Sequence, residues 1–154
     1  MINYLIYIDE LSKLNTEKVT NMSCMFLSCD ILFRLGDIGD LNVSQVTDMY
    51  CMFSGCSSLK NIDLSKFQTT NVLNMTGLFE KCSNLISIDL SKFITSSVIK
   101  MNSMFKECTS LQSLDLSKFD TSNVIDMSYM FNYCKNLKSL NLIKFNTENV
   151  ENME

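Results

Sequence analysis

The sequence predicts an α/β solenoid: stacked coils, each a short strand plus a short helix, with equivalent strands forming a parallel in-register sheet. The first observation behind this is a fixed interval. Val46, Val72, Val98, Val124 and Val150 stand 26 residues apart, as do Met49, Met75, Met101, Met127 and Met153. Phe53, Phe79, Phe105 and Phe131 keep the same step, and so do Cys56, Cys82, Cys108 and Cys134. Periods of this size mark stacked units rather than one central core. The second observation is a change of apolar rhythm inside each repeat, from helix-like to alternating. The third is energetic. About nine apolar side chains per coil contribute roughly 1.5–3 kcal/mol each when buried. Ordering the coil costs about 1.5 kcal/mol per residue, so a lone coil does not stand and neighbours must close its faces.

The shared frame is N-V-x-x-M-x-x-M-F-x-x-C-x-x-L-x-x-L-D-L-S-K-F-x-T-S, seen from Asn71, Ser97 and Asn123 and, with the same length, from Gln45. Met49, Met52, Phe53 and Cys56 lie at i, i+3, i+4 and i+7, one face of a short helix. Met101, Met104, Phe105 and Cys108 repeat this face, as do Met127, Met130, Phe131 and Cys134. The rhythm then becomes two: Ile62 and Leu64 flank Asp63, Ile88 and Leu90 flank Asp89, Leu114 and Leu116 flank Asp115. That alternation predicts a short strand with alternate residues inward. A second extended piece around Thr69 to Val72 leads into the next helix.

An earlier coil, Lys18 to Ser44, carries Val19, Met22, Met25, Phe26, Cys29, Leu32 and Leu35. It gains one residue around Gly36 to Gly39, an insertion at an end coil, so Val19 and Val46 are 27 apart. Leu14 takes the place of Phe67 in a partial first coil. The chain divides into an N-terminal cap and partial coil over 1–18 and a repeat region over 19–154 of about five coils, the last incomplete. Ile2 to Leu14, apolar and out of the pattern, is expected to cap the N-terminal end. No C-terminal cap is visible, so Leu137, Leu140, Leu142 and Phe145 form an apolar layer that packs on another chain or marks a truncation.

Composition narrows the function. The 154 residues are 46% apolar, sized for one domain, with a formal charge of −4 and no basic stripe for nucleic acid. No run reaches the roughly 18 apolar residues of a membrane span. The start, MINYLIYIDEL, shows no basic n-region or small-residue cleavage site, so no secretory signal is read. There is no His, Pro or Trp. Without His the usual neutral-pH base and the commonest metal ligand are missing. No Gly-rich phosphate loop and no G-x-S-x-G occur either. The expectation is a protein that is not an enzyme and holds no cofactor and no metal.

Repetition turns each motif position into a column with steps of about 4.8 Å. Cys29, Cys56, Cys82, Cys108 and Cys134 are expected to be small buried thiols. Cys24 and Cys51 begin a second column, continued by Gly77, Ser103 and Tyr129. With Cys29 and Cys56 they make two C-x4-C pairs, and four thiolates suit zinc. Residues i and i+5 diverge by about 140° on a helix, which argues against that site. Methionines beside Phe at helical spacing are packing rather than copper or haem ligands. The column of Thr69, Thr95, Thr121 and Thr147 suits a turn whose hydroxyls bond the backbone, and is too narrow to make an ice- or carbohydrate-binding face. The outward strand face carries Asp63, Asp89, Asp115 and Asn141, with Lys66, Lys92, Lys118 and Lys144 beside them. Two readings stand: a solvated face of offsetting charges, or a ligand-facing column making repeated weak contacts. One carboxylate per coil is too few for a calcium ladder.

The elements M-F-x-x-C-x-x-L-x-x-L-D-L-S-x-F-x-T-S-x-V-x-x-M-x-x-M-F, matched from about Val19 to Met153, resemble the BspA-like leucine-rich-repeat surface proteins of bacteria and some protists. The resemblance implies a right-handed leucine-rich-repeat-like solenoid. It also implies a surface or secreted location, adhesion, and host or matrix proteins or another repeat protein as partners. The function expected is a non-enzymatic protein-binding or adhesive scaffold. The alternative is a structural or assembly module within a longer repeat array, with self-association through the uncapped C-terminal end.

Overall fold

Four short strands and two 3-10 turns are all the regular structure among the described residues. In the computed structural model, residues 6–8, 11–36 and 38–154 are described. The elements are β1 (Ile6–Ile8), a 3-10 helix (Leu11–Lys13), β2 (Leu32–Leu35), a 3-10 helix (Ile38–Asp40), β3 (Ser113–Asp115) and β4 (Ser139–Asn141). β1 pairs parallel with β2, with a register shift between Ile6 and Tyr7. β3 pairs parallel with β4, Leu114 opposite Leu140.

Between these elements the chain is a succession of turns, and its hydrogen bonds explain why. From Met49 to Cys56 alternate N–H groups go to different places. Met52, Ser54 and Cys56 donate to Met49, Cys51 and Phe53 at 3.1–3.2 Å, closing local turns. Met49, Cys51, Phe53 and Gly55 donate instead to Asn74, Thr76, Leu78 and Glu80 at 2.8–3.0 Å. The segment from Met75 to Cys82 divides its donors in the same way. An α-helix would send every one of these N–H groups four residues back. To alternate, the backbone enters the left-handed region every fourth residue: φ is 50° at Cys51, 75° at Gly55, 60° at Gly77 and 59° at Lys81. Each non-glycine residue there gives up roughly 1–2 kcal/mol, offset by a bond to the adjoining turn.

This overturns the expected coil of strand plus helix. Among the described residues there is no α-helix over Met49–Cys56 or its equivalents. The predicted strands at Ile62–Leu64 and Ile88–Leu90 do not form either, and Thr69 to Val72 is a turn closed by Val72 N–H on the Thr69 carbonyl, 3.0 Å. Among the described residues strands appear only in two separate pairs and form no continuous parallel in-register sheet. The leucine-rich-repeat-like solenoid class is therefore withdrawn. What joins segments a repeat apart is a set of isolated parallel bridges: Asn21–Asp48, Asp48–Asn74, Asn74–Lys100, Lys100–Asp126 and Asp126–Asn152.

The apolar positions still turn inward. Met49, Met52, Phe53, Cys56, Met75, Phe79, Met101, Phe105 and Cys108 are fully buried. Phe26, Phe53, Phe79, Phe105 and Phe131 stack face to face in sequence, centroids 5.6–6.0 Å apart. Phe67 and Phe93 make a second stack at 6.5 Å. At the N-terminal end Leu11 is buried, whereas Leu14, matched to Phe67 by position, is half exposed. The rest of the cap expected over Ile2 to Leu14, and position 37 of the insertion, lie partly outside the described residues. Beside that insertion Ile38 is fully buried.

Candidate functional site

Three places hold the polar, thiol and apolar groups that the sequence singles out. The first is the outward column. Asp63, Asp89, Asp115 and Asn141 are exposed, and each side chain is tied to its own loop. The N–H groups of Ser65, Ser91, Ser117 and Ile143 donate to their Oδ1 atoms at 2.9, 2.8, 2.9 and 3.3 Å. This is the Asx turn, in which a short acidic or amide side chain mimics a backbone turn. The serines hold the carboxyls below their ordinary range. For Asp63 the Ser65 hydroxyl leads and its N–H follows, while for Asp89 and Asp115 the N–H leads. Lys66 pairs with Asp40 across adjoining turns. Lys92, Lys118 and Lys144 stand exposed in the same column. The fold brings these residues to one side, and the carboxylates there shape loops. Sequence reasoning missed that role, although D-x-S and N-x-S/T spacing signals it.

The Thr column is internal except at its last member, Thr147, which is exposed. Thr69, Thr95 and Thr121 are buried at 0–2% exposure. The Thr69 hydroxyl donates to the Ile94 carbonyl (2.9 Å) and accepts the Ile94 N–H (2.8 Å). Thr95 does the same with Asp120, and Thr121 with Asn146. The expected backbone bond exists, but it reaches 25 residues along the chain instead of closing a local turn.

The second place is the thiols, all seven of them free. Cys56, Cys82, Cys108 and Cys134 donate S–H to the carbonyls of Phe26, Phe53, Phe79 and Phe105 at 3.0–3.2 Å. Burial pushes Cys56 up to about 12 and raises Cys82 and Cys108 well above the ordinary thiol value. Thiols held protonated are poor nucleophiles and poor metal ligands. Cys24 and Cys51 differ in position, although burial raises the Cys51 thiol as well. They occupy left-handed positions one repeat apart, with φ 58° and 50°, and their sulfurs lie outside the carbonyl ladder.

The third place is the C-terminal end. A cleft of about 340 Å³ opens there, lined by Met127, Met130, Phe131, Leu142, Phe145 and Met153 among others. Interior equivalents are closed: Phe67, Phe93 and Phe119 are 1–3% exposed, while Phe145 and Leu142 are only half-buried and Met153 is 65% exposed. The donor ladder is open as well. Phe105 and Glu107 donate to Met130 and Asn132, but the N–H groups of Phe131 and Tyr133 meet no acceptor among the described residues. Chemically this face offers dispersion surface, two backbone donors and, at its rim, the Tyr129 hydroxyl donating to the Glu154 carboxylate at 2.7 Å.

Among the described residues, no helix is long and apolar enough to cross a membrane. A comparison with curated proteins finds no relative. The family described as "Mycoplasma protein of unknown function, DUF285" matches residues 3–113 and again 79–154. This match and the absence of strand-plus-helix coils replace the resemblance to BspA-like leucine-rich-repeat surface proteins. The adhesive surface scaffold rested on the repeat, the polar columns and that resemblance, and its alternative as a segment of a longer array on the uncapped C-terminal end; without strand-plus-helix coils neither stands. The two matches together span nearly all of the sequence, and the chain belongs to the DUF285 family.

Proposed function

We propose that this chain acts by association, pairing with a second copy through its C-terminal face, without catalytic turnover. The observation that carries this is the open apolar layer of Leu142, Phe145 and Met153 beside the unmatched Phe131 and Tyr133 donors. The opposite end decides the geometry. There the carbonyls of Asn21, Ser23, Met25 and Leu27 accept no bond among the described residues. The apolar layer beneath them is more fully covered, however, with Met22 and Phe26 at 4% exposure and Leu32 at 1%, Leu14 alone of that layer standing 50% exposed. Head-to-tail growth would need both layers open. The open apolar counterpart on a second copy is the same face, which makes the contact two-fold and self-limiting.

Sedimentation across a concentration series tests this. The expected result is a monomer–dimer equilibrium that stops at two. Met153→Asp, a change at an exposed position, shifts it to monomer, and Ile94→Ser, far along the stack, leaves it unchanged. A monomer at all concentrations, growth beyond two, or a dimer indifferent to Met153→Asp overturns the reading.

A further inference from the structure

Two columns of left-handed residues run along the turns. One holds Cys24, Cys51, Gly77, Ser103 and Tyr129, and the other Ser28, Gly55, Lys81, Glu107 and Tyr133. Both change character in the same turn. Small or charged residues occupy the earlier positions, whereas Tyr129 (φ 57°) and Tyr133 (φ 58°) put two aromatic rings where the backbone least favours bulk. Strain of that kind gathers at sites with a use. The rings are not core: Tyr129 is 41% exposed and Tyr133 63%. They border a cleft of about 530 Å³, with Lys106, Glu107, Asn132 and Lys135 among its other walls. Each ring has a cation beside it. The Lys106 ammonium lies 5.6 Å from the Tyr129 centroid and the Lys135 ammonium 5.4 Å from that of Tyr133, inside cation–π range. Glu80 lies 3.8 Å from Lys106, while Lys135 makes no ion pair among the described residues. Tyr129 and Asn132 also border the apolar C-terminal face, but Tyr133, Lys106 and Lys135 do not line it.

We infer that this cleft binds a short acidic sugar, an oligosaccharide bearing hexuronate. Tyrosine offers a broad, stiff surface that accepts both apolar and polar contact, and a pyranose ring has an apolar C–H face to lay on it. The hydroxyls at the ring edge need donors and acceptors, which the Asn132 amide and the Glu107 carboxylate supply. The sugar's own carboxylate meets the Lys135 ammonium in a charge-assisted bond. Glu107 and Lys135 thereby set the ligand's direction, hydroxyls toward the one and carboxylate toward the other. The cleft falls in the size range of small-molecule sites. A neutral sugar leaves both ammoniums unused. A long nucleic-acid strand is repelled by a chain of net charge −4, while a short acidic sugar engages this cleft alone.

The test titrates the full chain with trigalacturonate in a calorimeter, with maltotriose as the neutral comparison. The expected result is saturable binding at a single site per chain, tighter for the acidic sugar by about tenfold or more. Tyr133→Ala and Lys135→Ala each weaken it by a similar factor, and added salt weakens it further. Both side chains are exposed, so their removal leaves the core untouched. Tyr50→Ala, at an exposed tyrosine in an earlier turn, leaves binding unchanged. No saturable binding, equal binding of maltotriose, or binding indifferent to Tyr133→Ala overturns the proposal.

Discussion

The ring of Phe53 lies over the ring of Phe79 with centroids 5.6 Å apart and planes 4° from parallel. Both are fully buried and sit in the middle of the five-ring stack. Phe79→Ala removes a ring that both neighbours pack on and leaves a cavity between two turns. The expected loss is about 3–5 kcal/mol, read from the midpoint of urea unfolding. Phe131, half-buried at the end of the stack, loses clearly less on the same change.

Two buried threonines should respond in opposite ways to valine. Thr95 makes two inter-turn bonds with Asp120, at 2.9 and 2.8 Å. Thr95→Val strands the Asp120 N–H and carbonyl and is expected to cost about 1–3 kcal/mol. The Thr16 hydroxyl is buried with no partner among the described residues. Thr16→Val is expected to be neutral or stabilising, because an unmatched polar group is removed. Thermal or urea unfolding of the two variants makes the comparison.

Backbone conformation predicts a third contrast. Gly55 has φ +75°, and a Cβ there would meet the Ser28 Cα at 3.0 Å. Gly55→Ala is expected to destabilise by at least about 1–2 kcal/mol. One repeat on, Lys81 adopts φ 59° with a full side chain. Lys81→Gly relieves that conformation and, after the added chain entropy of glycine, gains at most about 1 kcal/mol. Parallel denaturation curves check both signs.

Stability should fall at both ends of the pH scale, for different groups. Cys56, Cys82 and Cys108 keep their protons in the folded state, while unfolded thiols titrate near 9.0. The unfolded chain therefore binds fewer protons above about pH 9, and stability declines as pH rises from there toward 12. On the acid side Asp63, Asp89, Asp115 and Asp120 titrate below 3.8 when folded. Their contribution is present above that value and is lost as pH falls beneath it. Urea midpoints at neutral pH and at both extremes measure the two slopes. Asp89→Asn keeps an Asx acceptor, as Asn141 does, and is expected to flatten the acid slope with little loss near neutrality.

The candidate sites were legible in parts. Spacing placed Asp63, Asp89 and Asp115 in one column, and the fold sets them on one side, yet their bonds to Ser65, Ser91 and Ser117 belong to loop geometry. The Thr69 hydroxyl was expected to bond backbone, but its partner at Ile94 is remote in sequence, and no local rule names it. The apolar side chains of the C-terminal layer, Leu142 and Phe145, were visible in the spacing. The unmatched Phe131 and Tyr133 donors were not, since they follow from a bonding pattern that spacing does not specify.

By itself the sequence determined which side chains go inward. Met49, Met52, Phe53 and Cys56 are apolar wherever the backbone leads, and the hydrophobic effect acts on side chains without regard to how the main chain is bonded. The tertiary structure decided what that main chain became. Whether Phe53 N–H closes a helix or reaches the Leu78 carbonyl depends on a neighbour 25 residues away being in place. The i, i+3, i+4, i+7 pattern is satisfied by both outcomes. Only the acceptor supplied by the adjoining turn separates them, and it made a chain of turns where local periodicity had pointed to helices.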